Sequence, residues 1–263
     1  MSSIDDLFAQ LKQSGRKALM PFLTAGDPDI ETTRKLLERL PDVGADLFEV
    51  GVPYSDPIAD GPVIQASYQR ALDAGFRLQQ VFDLGDQLKA DTPTPRVTMV
   101  SYSIINRVGL AEYVQKAKAA GYAGAIVPDL LVEEADELSR ICHAADFNLI
   151  QLVTPTTPKE RQIRIAESST GFLYYVSVTG ITGERSQLPP DLVDQVSWLR
   201  EQTELPICIG FGISSPETAA TLAPVADGLI VGSAIVRRVH EFADDRVDQV
   251  ASFVRELRDA IDA

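Results

Sequence analysis

The sequence is poor in what several function classes require. It holds two cysteines, Cys142 and Cys208, and two histidines, His143 and His240, in 263 residues. There is no Cys-x-x-Cys pair and both histidines fall in stretches that read as helix, so a zinc site has no ligand set and no metal is expected. The two thiols fit a reducing compartment better than a disulfide framework. Cys208, in an apolar run, reads as core packing. No apolar run approaches the ~18 residues of a membrane helix. The opening Met1-Ser2-Ser3-Ile4-Asp5-Asp6 is acidic and amphipathic, unlike a secretory signal. Positive charge is also scarce: 24 Lys and Arg face 38 Asp and Glu, for a net charge of −14. That balance argues against nucleic acid and anionic membranes as partners, and the expected location is the cytoplasm. A small anion remains admissible, because surface charge is screened beyond ~8 Å at physiological salt. Its site would draw positive potential from backbone N–H groups and helix N-termini.

What is present is ordinary globular composition, 45% hydrophobic and 24% charged. Short apolar runs alternate with amphipathic stretches. Strands are expected at Ala18–Leu23, Leu47–Val52, Arg96–Ser101 and Gly124–Val127, then at Asn148–Val153, Phe172–Val176, Ile207–Phe211 and Gly228–Val231. Helices are expected between them, among them Ile30–Leu40, Val132–Ala145 and Pro216–Leu222, with a last one near Val247–Ile261. Eight strand–helix units predict a parallel sheet closed into a (β/α)8 TIM barrel, an α/β fold that typically takes ~250 residues, with an open doubly wound sheet as the alternative. Residues 1–263 are read as one catalytic domain, and a helix over Ile4–Gln13 as a cap on the barrel floor. The first strand is not followed by Gly-x-Gly-x-x-Gly, which speaks against a dinucleotide site.

Chemistry in such barrels sits at the C-terminal ends of the strands. The second strand reads Asp46-Leu47-Phe48-Glu49-Val50-Gly51-Val52. Strand alternation turns Phe48 and Val50 to the helices and Leu47, Glu49 and Gly51 to the barrel axis. A carboxyl in the barrel mouth is costly unless paired or useful. Desolvation would move its pKa toward neutrality, which suits a group that gives and takes protons; a buried ion pair with an arginine is the structural alternative. The following loop carries Asp56 and Asp60 among prolines and a glycine, where an aspartate can be a turn former or a functional acid. After the seventh and eighth strands come Gly210-Phe211-Gly212-Ile213-Ser214 and Gly232-Ser233-Ala234. Two glycine-rich helix starts at those strands form the phosphate site common in this fold. The segment Thr179-Gly180-Ile181-Thr182-Gly183 has the composition of a lid. No lysine ends a strand, as a Schiff-base aldolase needs, so the chemistry is expected to run on carboxylates.

The block Phe48-Glu49-Val50-Gly51-Val52-Pro53-Tyr54-Ser55-Asp56-Pro57-Ile58-Ala59-Asp60-Gly61-Pro62-Val63-Ile64-Gln65 resembles the signature of the tryptophan synthase alpha chain family. Pro21-Phe22-Leu23-Thr24-Ala25-Gly26-Asp27-Pro28, Val127-Pro128-Asp129-Leu130 and Gly232-Ser233-Ala234-Ile235-Val236 extend the likeness along the chain. The resemblance implies a lyase that cleaves indole-3-glycerol phosphate to indole and glyceraldehyde 3-phosphate. It implies Glu49 and Asp60 as the acid/base pair, and Gly183, Phe211, Gly212, Gly232 and Ser233 around the phosphate. Phe22 and Tyr174 would line the indole pocket, and Thr182 would close onto Asp60. No cofactor is implied in this chain; pyridoxal phosphate would sit in a partner beta chain of an alpha2beta2 tetramer. One departure stands out: where the family shows Tyr-x-Asn after the third strand, this chain reads Ser101-Tyr102-Ser103. Other readings of the same residues are a sugar-phosphate isomerase or epimerase, and a non-catalytic sensor of a phosphorylated ligand.

Overall fold

The computed structural model describes residues 2–58, 60–90, 92–176, 191–210 and 212–263. Helix α1 (Ser3–Ser14) precedes strand β1 (Ala18–Thr24), and α2 (Ile30–Arg39) leads to β2 (Phe48–Gly51). Helices α3 (Pro62–Asp73) and α4 (Gln79–Leu88) precede β3 (Arg96–Met99); α5 (Tyr102–Val108) and α6 (Leu110–Ala119) precede β4 (Gly124–Ile126). Helix α7 (Asp136–Ala144) is followed by β5 (Asn148–Ile150) and β6 (Leu152–Val153), and α8 (Lys159–Ser168) by β7 (Leu173–Val176). Then come α9 (Leu192–Arg200), β8 (Ile207–Gly210), α10 (Pro216–Leu222), β9 (Gly228–Val231), α11 (Ser233–Glu241) and α12 (Arg246–Asp262).

The strands pair in the order β5-β4-β3-β2-β1-β9-β8-β7-β6, with the paired strands parallel. Strands β5 and β6 are two halves of one strand interrupted at Gln151. The first half pairs with β4 and the second with β7, so eight strand positions close the ring. The interruption has a local cause. The Gln151 N–H donates to Ser169 Oγ at 3.1 Å instead of to a neighbouring strand, while its carbonyl accepts from Tyr174 N at 3.1 Å.

Side-chain alternation divides the core into two layers. Leu19 and Leu23 of β1 and Phe48 and Val50 of β2 join the layer between strands and helices. Ala18, Met20 and Phe22 of β1, with Leu47 just ahead of β2, fill the barrel itself. The expected facing of Phe48 and Val50 is thereby seen. Helix α1 closes the floor. Ser2 and Asp5 form a reciprocal capping box at its start, satisfying two N–H groups that a helix leaves orphaned. Its Ile4, Phe8 and Leu11 are buried in the barrel-filling layer, and the rings of Phe8 and Phe172 lie 5.9 Å apart. With the floor sealed by apolar contacts, the open end is the one bearing the strands' C-termini.

Candidate active site

Glu49 sits in the middle of β2, opposite Phe22 of β1 on one side and Val97 of β3 on the other. Its inward direction follows from its place between the outward Phe48 and Val50. It is 1% exposed, and neither carboxyl oxygen has a hydrogen-bond partner. No cation lies within ion-pair distance of it among the described residues, so the buried Arg pair that the sequence left open is not seen. A lone ionised carboxylate in such a place is strongly disfavoured. Burial, and secondarily the charge of Asp60, pushes the Glu49 pKa well above the usual carboxylate range.

Asp60 approaches the same space from the β2–α3 loop. Gly61 caps α3 and Pro62 opens it, where the missing proline N–H costs nothing. Gln65, one turn on, donates through Nε2 to Asp60 O at 2.7 Å and Pro57 O at 3.2 Å, stapling the loop to the helix. Asp60 is 5% exposed. Burial first, then the negative charge of Asp129, raises its pKa to about 7. Asp129 is fixed in turn by Ser101 Oγ, 2.7 Å, and the Tyr102 amide, 2.8 Å. The unusual Ser101-Tyr102-Ser103 stretch therefore holds a charge that acts on Asp60, a link the sequence did not reveal.

Glu49 and Asp60 line one cavity with Phe22, Met99, Tyr174 and Ile230. The aromatic pair makes an apolar slot, and burial keeps the Tyr174 hydroxyl protonated by pushing its pKa far up. Gly212, Ile213, Gly232, Ser233 and Ala234 also line the cavity. Gly212 has φ of +81°, a conformation that side-chain-bearing residues rarely adopt, and a Cβ there would meet nothing within 4 Å. Gly232 is the N-cap of α11 and offers no side-chain acceptor. The first amides of a helix lack intrahelical acceptors and carry partial positive charge, so this end favours an anion. Both glycine-rich segments expected near phosphate reach the cavity, through Gly212 and Ile213 before α10 and through Gly232 and Ser233 at the α11 start. Ser215 caps the first turn of α10, its Oγ accepting from the Thr218 amide. The expectations for Thr182, Gly183, Phe211 and the segment 179–183 lie outside the described residues. Groups of three or more His, Cys, Asp or Glu able to hold a metal are absent among the described residues.

A buried acid, a second acid titrating near neutrality, an apolar slot and an anion-favouring helix start thus converge on one cavity. That arrangement suits proton transfer on a flat, apolar group with an anionic tail. A second groove is lined by Tyr54, Asp56, Ile58, Ser101, Ser103 and Asp129. Ile58 on its rim is 83% exposed.

Comparison with known proteins agrees with this geometry along the whole chain. A family model described as tryptophan synthase alpha chain matches residues 8–262. The tryptophan synthase alpha chain of Rhodopirellula baltica is 64% identical over 277 residues, covering 100% of both chains. That of Synechococcus elongatus is 46% identical over 263 residues, covering 100% of this chain and 98% of the other. Among solved structures, tryptophan synthase subunit alpha from Legionella pneumophila superimposes with a TM-score of 0.92 at 37% identity, over 100% of this chain and 99% of that one. A chain of the tryptophan synthase complex from Pyrococcus furiosus gives 0.85 at 35% identity, over 91% and 97%.

Proposed function

Because this chain belongs to the tryptophan synthase alpha chain family, whose reaction cleaves indole-3-glycerol phosphate to indole and glyceraldehyde 3-phosphate, we propose that Glu49 and Asp60 carry that cleavage here. The observation that supports it most is the Glu49 carboxyl, sealed in the barrel with both oxygens unpartnered and facing the cavity that Asp60 shares. Its raised pKa keeps the acid form available at neutral pH. Glu49 delivers its proton to C3 of the indole ring, leaving a cationic ring and a Glu49 carboxylate. The carboxylate then takes the proton of the side-chain hydroxyl beside the scissile bond. The carbon–carbon bond breaks, its electron pair returns to the ring, and indole and the aldehyde are formed. Glu49 ends protonated, so the cycle consumes no net acid. Asp60 accepts a hydrogen bond from the ring N–H and, ionised, stabilises the cationic intermediate, as fixed charges placed where charge develops do.

In this reading Phe22 and Tyr174 sandwich the indole ring. The α11 amides at Gly232 and Ser233, with the Gly212 backbone, bind the phosphoryl group, joined by Gly183 and Phe211. Thr182 closes over Asp60. The chain needs no cofactor of its own, acts as one barrel domain, and works in the cytoplasm, where the buried thiols of Cys142 and Cys208 stay free. Its partner is a beta chain carrying pyridoxal phosphate, in an alpha2beta2 assembly that passes indole onward. The second groove, with Asp56 and the exposed Ile58, is where that partner docks. The test is indole release from indole-3-glycerol phosphate by the purified chain, alone and with a beta chain. Binding of the substrate without indole release under either condition would overturn the reading.

A further inference from the structure

The phosphoryl end of the cavity poses an electrostatic problem. Glu49 and Asp60 line the same space, and the chain's net charge is −14. A phosphate monoester brings up to two more negative charges. Helix-start amides offset only part of this, since a helix N-terminus carries roughly half an elementary charge. Among the described residues lining the cavity, one cation is present, Arg237.

Its place in α11 is suited to the task. Arg237 is four residues after Ser233, so the two share one face of the helix a single turn apart. Helical side chains lean toward the N-terminus, so the Arg237 stem runs back toward the amides of the first turn. The next residue, Arg238, also leans back along the helix but lies on a different face. The Arg238 guanidinium stands 3.5 Å from the centre of the Phe253 ring on α12, and its Nη1 donates to Ala234 O at 2.9 Å. Two consecutive arginines thus divide: Arg238 ties α11 to α12, and Arg237 borders the cavity.

We propose that Arg237 is a substrate-positioning residue, whose guanidinium pairs with the phosphoryl oxygens of the substrate bound at the α11 start and so selects phosphorylated over unphosphorylated substrates. The proposal rests on the phosphate placement argued above. Planar, forked N–H donors match phosphate oxygens two at a time, and such charge-assisted pairs are about twice as strong as neutral ones.

The test is calorimetry on the purified chain with two probes, glycerol 3-phosphate and indole. Arg237→Gln is expected to weaken glycerol 3-phosphate about tenfold or more, in line with a charge-assisted bond, and to leave indole affinity unchanged. In turnover it raises the KM for indole-3-glycerol phosphate by a similar factor with kcat little altered. Arg237→Lys, which keeps the stem and the charge, recovers most of the loss and guards against a glutamine variant that fails to fold. A folded glutamine variant with glycerol 3-phosphate affinity within twofold of the parent overturns the proposal, as does a lysine variant no better than the glutamine one. Gly232→Val separates this from the underlying reading. A Cβ at Gly232 would make only ordinary contact with Phe22, but its φ of −106° and ψ of −86° lie outside the α and β regions, so the melting temperature of the variant is compared with the parent's before binding is read. If Gly232→Val loses glycerol 3-phosphate while Arg237→Gln keeps it, the anion site stands and the Arg237 assignment falls. If neither variant loses it, the phosphate placement falls as well.

Discussion

Tyr174 occupies the space that a side chain at Gly210 would need: a Cβ on Gly210 would stand 2.6 Å from Tyr174 Cζ. The two residues lie on neighbouring strands, with Gly210 opposite Val176, two positions beyond Tyr174. Phe22 is seated in the same way across β1 and β2, since a Cβ on Gly51 would stand 2.7 Å from Phe22 Cε2. Neither glycine has a positive φ. They are there for room, and the room is what lets both aromatic walls of the slot lie against the barrel.

Gly210→Ala is therefore expected to push Tyr174 off its seat. Overpacking of this kind typically costs about 1–3 kcal/mol, read as a lower melting temperature, with a higher KM for indole-3-glycerol phosphate. Adding Tyr174→Leu should restore part of the lost stability. Strictly additive effects in that double-mutant cycle would mean that the two positions do not compete for space.

Activity should rise with pH through about 7, as Asp60 ionises and becomes able to stabilise a cationic ring, and fall at higher pH as Glu49 loses its proton. The profile of kcat/KM is thus bell-shaped. Asp129 contributes to holding the Asp60 pKa up, so Asp129→Asn should move the acid limb to lower pH. An acid limb that stays in place or moves upward would contradict this electrostatic link.

The same shift carries a stability consequence. The folded-state pKa of Asp60, about 7, lies above its ordinary 3.8. Folding then binds a proton between these values, and the stability this confers is lost as pH rises through about 7. Asp60→Asn removes the buried charge, so at pH 8 it should melt several degrees above the parent, with the gap narrowing as pH falls from about 7 toward 3.8, while turnover drops. Equal melting temperatures for the two proteins at pH 8 would show that Asp60 is not strained by its burial.

Much of this architecture is legible in the residues. Alternation around Glu49 gave its direction, the βα repeat gave the barrel, and the apolar positions of Ile4, Phe8 and Leu11 gave the floor helix. Sequence patterns do not reveal what depends on distant partners. The break at Gln151 arises from a hydroxyl eighteen residues away. The link from Ser101 through Asp129 to Asp60 joins three loops. Arg237 is hidden in an ordinary amphipathic helix, because periodicity does not distinguish a cavity-lining arginine from one packed on a neighbouring helix.

Addition of a cognate beta chain should raise indole formation markedly, since a partner that favours the competent state increases its population. Ile58→Asp, at the exposed rim of the groove, should weaken that activation while leaving turnover of the isolated chain unchanged. Full activation of the Ile58 variant at the parent's half-saturating concentration would place the docking surface elsewhere.

The central claim is that one buried carboxyl moves both protons, and Glu49→Gln tests it most directly. The glutamine keeps the shape of the side chain and holds no transferable proton at neutral pH. Loss of a positioned general acid/base costs typically 10²–10⁴-fold, and a group used twice should sit at the upper end. Single-turnover indole release from saturating indole-3-glycerol phosphate is the measurement, made alongside calorimetry showing that the variant still binds glycerol 3-phosphate. A loss of about 10⁴-fold with phosphate binding intact is the predicted result. A folded variant that keeps about a tenth or more of the parent rate, well above that range, would contradict it.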